Sequence, residues 1–285
     1  MSETVEIFEM GPRDGLQNEK RQILTADKIA LVDCLSRAGF RRIEVASFVS
    51  PKWVPQMADS ADVLAGITRA KGVSYAALTP NMKGFEGAQA AKADEIAIFG
   101  SASEGFSKAN INATIAESLE RFAPVVEAAK LASIPVRGYV SCVADCPYDG
   151  PTAPAQVAKV AKALLDMGCY EISLGDTIGQ GTPEAISAML EAVLQVVPAA
   201  QVAGHYHDTA GRALVNIEAS LAQGVRVFDA AVGGLGGCPY APGAAGKVAT
   251  ESVHARLTKL GYDTGLNNDV LEEAAAMARR MREGN

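Results

Sequence analysis

The feature that most constrains this chain is a change of hydrophobic period that repeats eight times. Short apolar or alternating runs at 5–10, 42–47, 74–79, 95–100, 135–142, 171–176, 201–207 and 226–232 have the period of strands. Each is followed by a helical stretch, at about 26–38, 57–69, 84–92, 113–132, 154–167, 182–196, 210–222 and 248–260. Thr25 is placed to cap the first of these helices and Gly39 to stop it. Strands joined through helices pair in parallel. Runs such as Glu95-Ile96-Ala97-Ile98-Phe99-Gly100 are nearly continuous in apolar residues, as a helix-covered parallel sheet requires. Eight such units in 285 residues, with no GxGxxG after the first strand, predict an α/β chain folded as a (β/α)₈ TIM barrel rather than an open dinucleotide-binding sheet. A further helix at about 267–282 adds a C-terminal helical segment. No linker divides the chain, so one domain is expected over 1–285, with the barrel at about 5–232 and a lid loop and C-terminal helices at about 233–285.

A barrel builds its site where strands end and the following loops begin. Arg13 and Asp14 follow the first predicted strand, and Glu44 and Ser47 end the second. Tyr139 lies on the fifth, Ser173 and Asp176 end the sixth, and His205 and His207 end the seventh. The two histidines are two residues apart, so a strand turns both imidazoles to one face. With Asp14 they offer one carboxylate and two ring nitrogens, a set suited to Mg²⁺ or Mn²⁺ more than to a structural zinc. Glu44 supports that site or forms a simple ion pair. Asp208, on the opposite face from His207, is expected to cap or to brace. The eighth strand runs into Gly233-Gly234-Leu235-Gly236-Gly237-Cys238-Pro239-Tyr240, where glycines allow a lid to carry the Cys238 thiol to the site. Cys34 and Cys169 are assigned to packing, and Cys142 and Cys146 flank a turn.

Composition narrows the partners. A net charge of −7 with no long basic run argues against nucleic acid and against an anionic membrane surface. Five cysteines at irregular spacing form no disulfide framework, and the start, Met-Ser-Glu-Thr-Val-Glu, lacks an apolar or Arg-rich leader, so a cytoplasmic protein is expected.

Four stretches carry a resemblance: residues 11–19 around Gly11-Pro12-Arg13-Asp14-Gly15, residues 47–57, Arg137-Gly138-Tyr139-Val140-Ser141-Cys142, and residues 233–240. Together they resemble the 3-hydroxy-3-methylglutaryl-CoA lyases of the DRE-TIM metallolyases, over about residues 5–265. The resemblance implies retro-Claisen cleavage of (S)-3-hydroxy-3-methylglutaryl-CoA to acetyl-CoA and acetoacetate with Mg²⁺ or Mn²⁺, as in leucine breakdown and ketone-body formation. It implies an acyl-CoA thioester as partner and a homodimer. By position it makes Asp14, His205 and His207 metal ligands, Arg13 the stabiliser of the enolate oxygen, Cys238 the lid cysteine and Glu44 an active-site carboxylate. Gln17, Ser47, Tyr139, Ser173 and Thr177 fall in the substrate pocket, and Asp176 is the candidate base. Residues 79–84 and 103–110 are candidate CoA contacts.

The chain departs from the family twice. Tyr206 stands where the family has a cysteine, on the face away from the ligands, and repacking is expected to accommodate it. Lys247 stands where the family has an asparagine ligand. An ammonium has no lone pair to donate, so Lys247 must turn out to solvent, lose its proton, or stand in for the metal between Asp14 and the histidines; the first is expected. Two other readings stay open: a related enzyme of another 3-hydroxyacyl-CoA, or a Claisen condensation, and a silent homologue that binds an acyl-CoA or a metal.

Overall fold

The computed structural model describes residues 2–236 and 246–283. Eight strands close into an all-parallel barrel: β1 Glu6–Glu9, β2 Arg42–Ser47, β3 Ser74–Leu78, β4 Glu95–Ser101, β5 Val136–Ser141, β8 Glu171–Asp176, β9 Val202–Tyr206 and β10 Val227–Ala230. The order around the barrel is β1-β10-β9-β8-β5-β4-β3-β2, so each strand joins the next in sequence and the last pairs with the first. A small antiparallel hairpin, β6 Asp145–Cys146 and β7 Gly150–Pro151, projects after β5. Each predicted strand is observed within a few residues.

The outer layer holds α1 Thr25–Arg37, α2 Ser60–Gly66, α3 Met82–Ala90, α4 Glu104–Ile111, α5 Ile115–Leu131, α6 Pro154–Met167, α7 Pro183–Val193, α8 Ala213–Ala222, α9 Thr250–Lys259 and α10 Asn268–Glu283. Their buried residues, such as Leu31, Val32 and Leu35 of α1, pack on the outward side chains of the strands in one continuous apolar cluster. The structure corrects one local expectation. Thr25 is inside α1 rather than capping it, because its hydroxyl is drawn to Asp59 Oδ2 at 2.7 Å. Residues 103–110, the candidate CoA contacts, belong to α4 and its cap, with Ser103 accepting from Phe106 N at 3.0 Å. β1 is followed by a π-helical turn, Gly11–Gly15, in which Asp14 N and Gly15 N both reach Met10 O. No helix among the described residues is long and apolar enough to cross a membrane.

The barrel lumen is not filled with the usual aliphatic layers. Charged side chains cross it, beginning with Arg42, which donates to Glu6 at 2.7 Å and to Glu171 at 2.9 Å. Arg137, 1% exposed, bridges Glu171 at 2.7 Å and both oxygens of Asp229 at 2.9 and 2.8 Å, with its guanidinium 4.5 Å from the Phe8 ring centre. This ladder ends at the mouth where the candidate residues gather.

Glu9 ties the mouth together from below. Its Oε1 accepts from Gly11 N at 2.7 Å and Val232 N at 2.9 Å, and its Oε2 accepts from Thr250 at 2.7 Å. One buried carboxyl thus holds the loop after β1, the loop after β10 and the start of α9. Burial pushes its pKa from 4.5 up to about 7 despite these donors. A raised folded pKa means a stabilising contribution that is full below pH 4.5 and is lost as pH rises toward 7. Glu9→Gln keeps an acceptor for both amides and reverses the Thr250 bond, its amide group donating to the hydroxyl. Relative to this variant, the unaltered protein is expected to lose up to about 3 kcal/mol between pH 5 and 8 in chemical denaturation; parallel stability curves would refute the assignment.

Candidate active site

The turn Gly11–Gly15 aims two adjacent charged side chains into the mouth, Arg13 at 4% and Asp14 at 9% exposure. Gly15 is needed there: a Cβ would lie 2.7 Å from Leu235 Cβ. Gly236, at φ +92°, closes the glycine-rich loop back on the same turn, where a side chain would meet Gly15 Cα at 3.1 Å.

Arg13 is held from two sides. It pairs with Glu44 Oε2 and donates to Asp14 Oδ1 at 2.8 Å. Glu44 is wholly buried and accepts from Tyr139 Oη at 2.8 Å through its other oxygen. Burial raises the Glu44 pKa, opposed by the charge of Arg13. Burial also acts on Asp14, but Arg13, Lys247 and His205 outweigh it and hold this carboxyl far below the usual range. Glu44 is therefore more than a simple ion pair, because it sets the direction of both Arg13 and Tyr139. Gln17 donates to Asp14 Oδ1 at 3.0 Å, so it positions Asp14 rather than pointing freely into the pocket.

His205 and His207 share the lumen side as their spacing requires, with ring centres 5.5 Å apart. His205 Nδ1 is 2.9 Å from Asp229 Oδ2. A carboxylate only accepts, so Nδ1 carries the proton and Nε2 is left facing Asp14 Oδ2 at 3.6 Å. His207 is 8% exposed with no partner for Nδ1, and burial, then Lys247 and His205, lower its pKa, so it is neutral. Tyr206 between them points outward to Ser220 Oγ at 2.8 Å, as repacking would have it, and Asp208 accepts from Ala213 N at 3.0 Å near the start of α8.

Lys247 does not turn to solvent. It is 4% exposed, and its Nζ is 2.7 Å from Asp14 Oδ2 and 3.4 Å from the Asp14 carbonyl oxygen. The backbone explains the correction: Lys247 bridges antiparallel to His207, with Asp208 N donating to Gly246 O at 3.2 Å and Val248 N to Tyr206 O at 3.4 Å. A residue pinned beside the histidine strand starts within reach of Asp14, and the ion pair holds it there.

The remaining predicted residues divide. Tyr139 and Ser173 join the cluster, Ser173 Oγ donating to Asp229 Oδ2 at 2.7 Å. Ser47 Oγ is buried without a partner, free to meet a substrate. Thr177 Oγ1 accepts from Cys142 N at 2.8 Å and supports the left-handed turn of Cys142, φ +59°. Asp176 is three residues from Ser173 and so on the other strand face. Its Oδ2 accepts from Gly181 N at 2.9 Å, Oδ1 has no partner, and burial raises its pKa. The structure does not bring it to Arg13 and Asp14. Cys238 lies outside the described residues. Cys142 and Cys146 are buried, and burial pushes the Cys142 thiol up, which leaves it unreactive.

Asp229 and Arg137 were not among the sequence candidates, yet they orient His205. Their signal was present: a charge inside an apolar strand, as at Arg137 and Asp229, must find a buried partner.

The donor set of Asp14, His205 and His207 has the chemistry of a divalent-cation site, and the unpartnered His207 nitrogen fits a ligand role. As arranged, with the Lys247 ammonium on Asp14, no three His, Cys, Asp or Glu side chains converge closely enough to hold a metal among the described residues. A cation would have to displace that ammonium.

A family profile described as HMGL-like matches residues 4–278. The 3-hydroxy-3-isohexenylglutaryl-CoA/hydroxy-methylglutaryl-CoA lyase of Pseudomonas aeruginosa is 59% identical over 270 residues, covering 95% of this chain and 90% of the relative. The mitochondrial hydroxymethylglutaryl-CoA lyase of Bos taurus is 59% identical over 272 residues, covering 95% and 84%. The crystal structure of the HMG-CoA lyase from Brucella melitensis superposes with a TM-score of 0.98 at 61% identity, over 99% of this chain and 100% of that one. With the barrel, the Arg13-Asp14 turn and the histidine strand all in place, the chain belongs to the HMGL-like family, the family of the hydroxymethylglutaryl-CoA lyases.

Proposed function

We infer that this protein is a carbon–carbon lyase that cleaves (S)-3-hydroxy-3-methylglutaryl-CoA to acetyl-CoA and acetoacetate. The observation that carries the reading is the identity of more than half the residues to lyases of that name along nearly the whole chain. The Arg13 cluster supports it chemically. Loss of the hydroxyl proton turns C3 into the ketone of acetoacetate as the C2–C3 bond breaks, and the electron pair moves to the thioester as an enolate. The fixed guanidinium of Arg13 is suited to that developing oxyanion, since a donor already held by Glu44 and Asp14 needs no reorganisation. Tyr139, Ser173 and Ser47 offer hydroxyls around the substrate. Cys238 is the residue we assign to protonate the acetyl-CoA carbanion. Asp176, with its raised affinity for protons, is the proposed acceptor of the hydroxyl proton, and it reaches a lumen substrate only if the 177–181 turn moves. Asp14, His205 and His207 would hold the divalent cation, Mg²⁺ or Mn²⁺, which when bound would polarise the substrate oxygens. Further proposals are a homodimer and a cytoplasmic location.

The test is acetoacetate release by purified protein with added Mg²⁺ and again after chelation. Release is expected with the metal; silence on this thioester would overturn the reading. A second substrate class is favoured by the Pseudomonas relative, whose name includes a 3-isohexenyl substituent. Measuring kcat/KM for both thioesters decides it: the methyl substrate is expected to be preferred, and a higher value for the long-chain one would reassign the pocket.

A further inference from the structure

Lys247 carries a consequence for the cation. Both oxygens of Asp14 already have positive or donating partners: Arg13 and Gln17 on Oδ1, Lys247 on Oδ2. The oxygen that Lys247 takes is the one facing His205 Nε2. Any cation shared by Asp14 and the histidines must use that same oxygen. The ammonium is also tethered. Gly246 lies so close to the glycine loop that a Cβ would meet Gly236 O at 1.9 Å, and the bridge to His207 fixes the backbone on the other side. The side chain can withdraw by rotation, while its root cannot leave. No other carboxylate pairs with Lys247 among the described residues, so leaving Asp14 would cost it the one anion it has.

We propose that Lys247 is a built-in competitor for the divalent cation: its ammonium closes the metal-free site, and a metal enters only by displacing it. The cation is therefore held loosely and exchanges readily. This rests on Asp14, His205 and His207 forming the cation site, and not on which thioester is cleaved.

The experiment is a titration of the full-length protein with Mn²⁺ alone, without thioester, following free Mn²⁺ by electron paramagnetic resonance. Lys247→Met removes the charge and adds no strong ligand, and Lys247→Arg keeps the charge. Lys247→Met is expected to bind Mn²⁺ about tenfold tighter or more than the unaltered protein, since the competing charge is gone. Lys247→Arg is expected to bind no tighter than the unaltered protein. Unchanged or weaker binding by Lys247→Met overturns the proposal, and so does equal tightening by Lys247→Arg or no binding by any of the three. Thermal melts report whether each variant folds. If acetoacetate release fails while Lys247→Met tightens Mn²⁺, the competition stands and the substrate reading falls.

Discussion

Replacing Arg13 by methionine is expected to lower kcat by about 10³-fold with little change in KM, the loss that follows when one preorganised donor to a developing oxyanion is removed. The guanidinium is held by Glu44 and Asp14, and its carbon lies 5.9 Å from the Tyr139 ring centre. On the proposed role it would meet the transition state already oriented. Arg13→Lys is expected to recover only a small part, because an ammonium cannot hold two carboxylates in a planar fork. Steady-state kinetics on both variants checks this, and a kcat within tenfold of the unaltered enzyme would remove Arg13 from the chemistry. Removing the guanidinium also leaves Glu44 and Asp14 buried with less compensation, at a cost of roughly 3 kcal/mol. The kinetics must be run well below the melting temperature.

Asp229→Asn is the second large effect. This carboxylate accepts from Arg137 through both oxygens, from Ser173 and from His205. An amide presents one oxygen and one donor to four donors, so a buried partner loses its acceptor. Breaking a buried pair of this kind costs roughly 3–5 kcal/mol, seen as a lower melting temperature. Activity is expected to fall by about 10–100-fold, because His205 loses the group that fixes its tautomer and ring direction. Glu171→Gln is the control. It loosens Arg137 from the opposite side at 2.7 Å without touching His205. Its stability is expected to drop comparably while kcat stays within about threefold of the parent. If both variants lose the same activity, Asp229 acts through stability alone.

The same physics explains how the sequence relates to the site. Tyr139, Ser173, His205 and His207 were legible because a strand alternates its faces and a barrel concentrates its chemistry at one end. Arg13 and Asp14 were legible by position alone, since nothing in Gly11-Pro12-Arg13-Asp14-Gly15 announces a π-helical turn. Such a turn is set by which carbonyl the Asp14 and Gly15 amides reach, and both reach Met10. Asp176 was assigned because it ends the sixth predicted strand, as Ser173 does, and because it matches a family position. One step of register puts it on the opposite face, and the amide of Gly181 engages its carboxylate there.

Lys247 marks the limit most clearly. Residue chemistry alone argued that a cation should avoid a metal site, and exposure to solvent was the cheap solution. What decided otherwise was a short backbone bridge between residues forty apart in sequence, which roots the side chain beside the mouth, where Asp14 takes its ammonium. Asp229 and Arg137 tell the same story from below. Their charges were visible inside apolar strands, but which charge meets which depends on barrel closure.

By itself, then, the sequence determined the barrel, through periodicity that repeats locally in every unit, and the residue types at its mouth. Only the tertiary structure decided the pairings: Arg13 with Glu44, His205 with Asp229, Lys247 with Asp14. The physical reason is that hydrophobic period is a short-range property of the chain. Compensation of a buried charge depends on what closure brings within about 3 Å, and no local pattern encodes that distance.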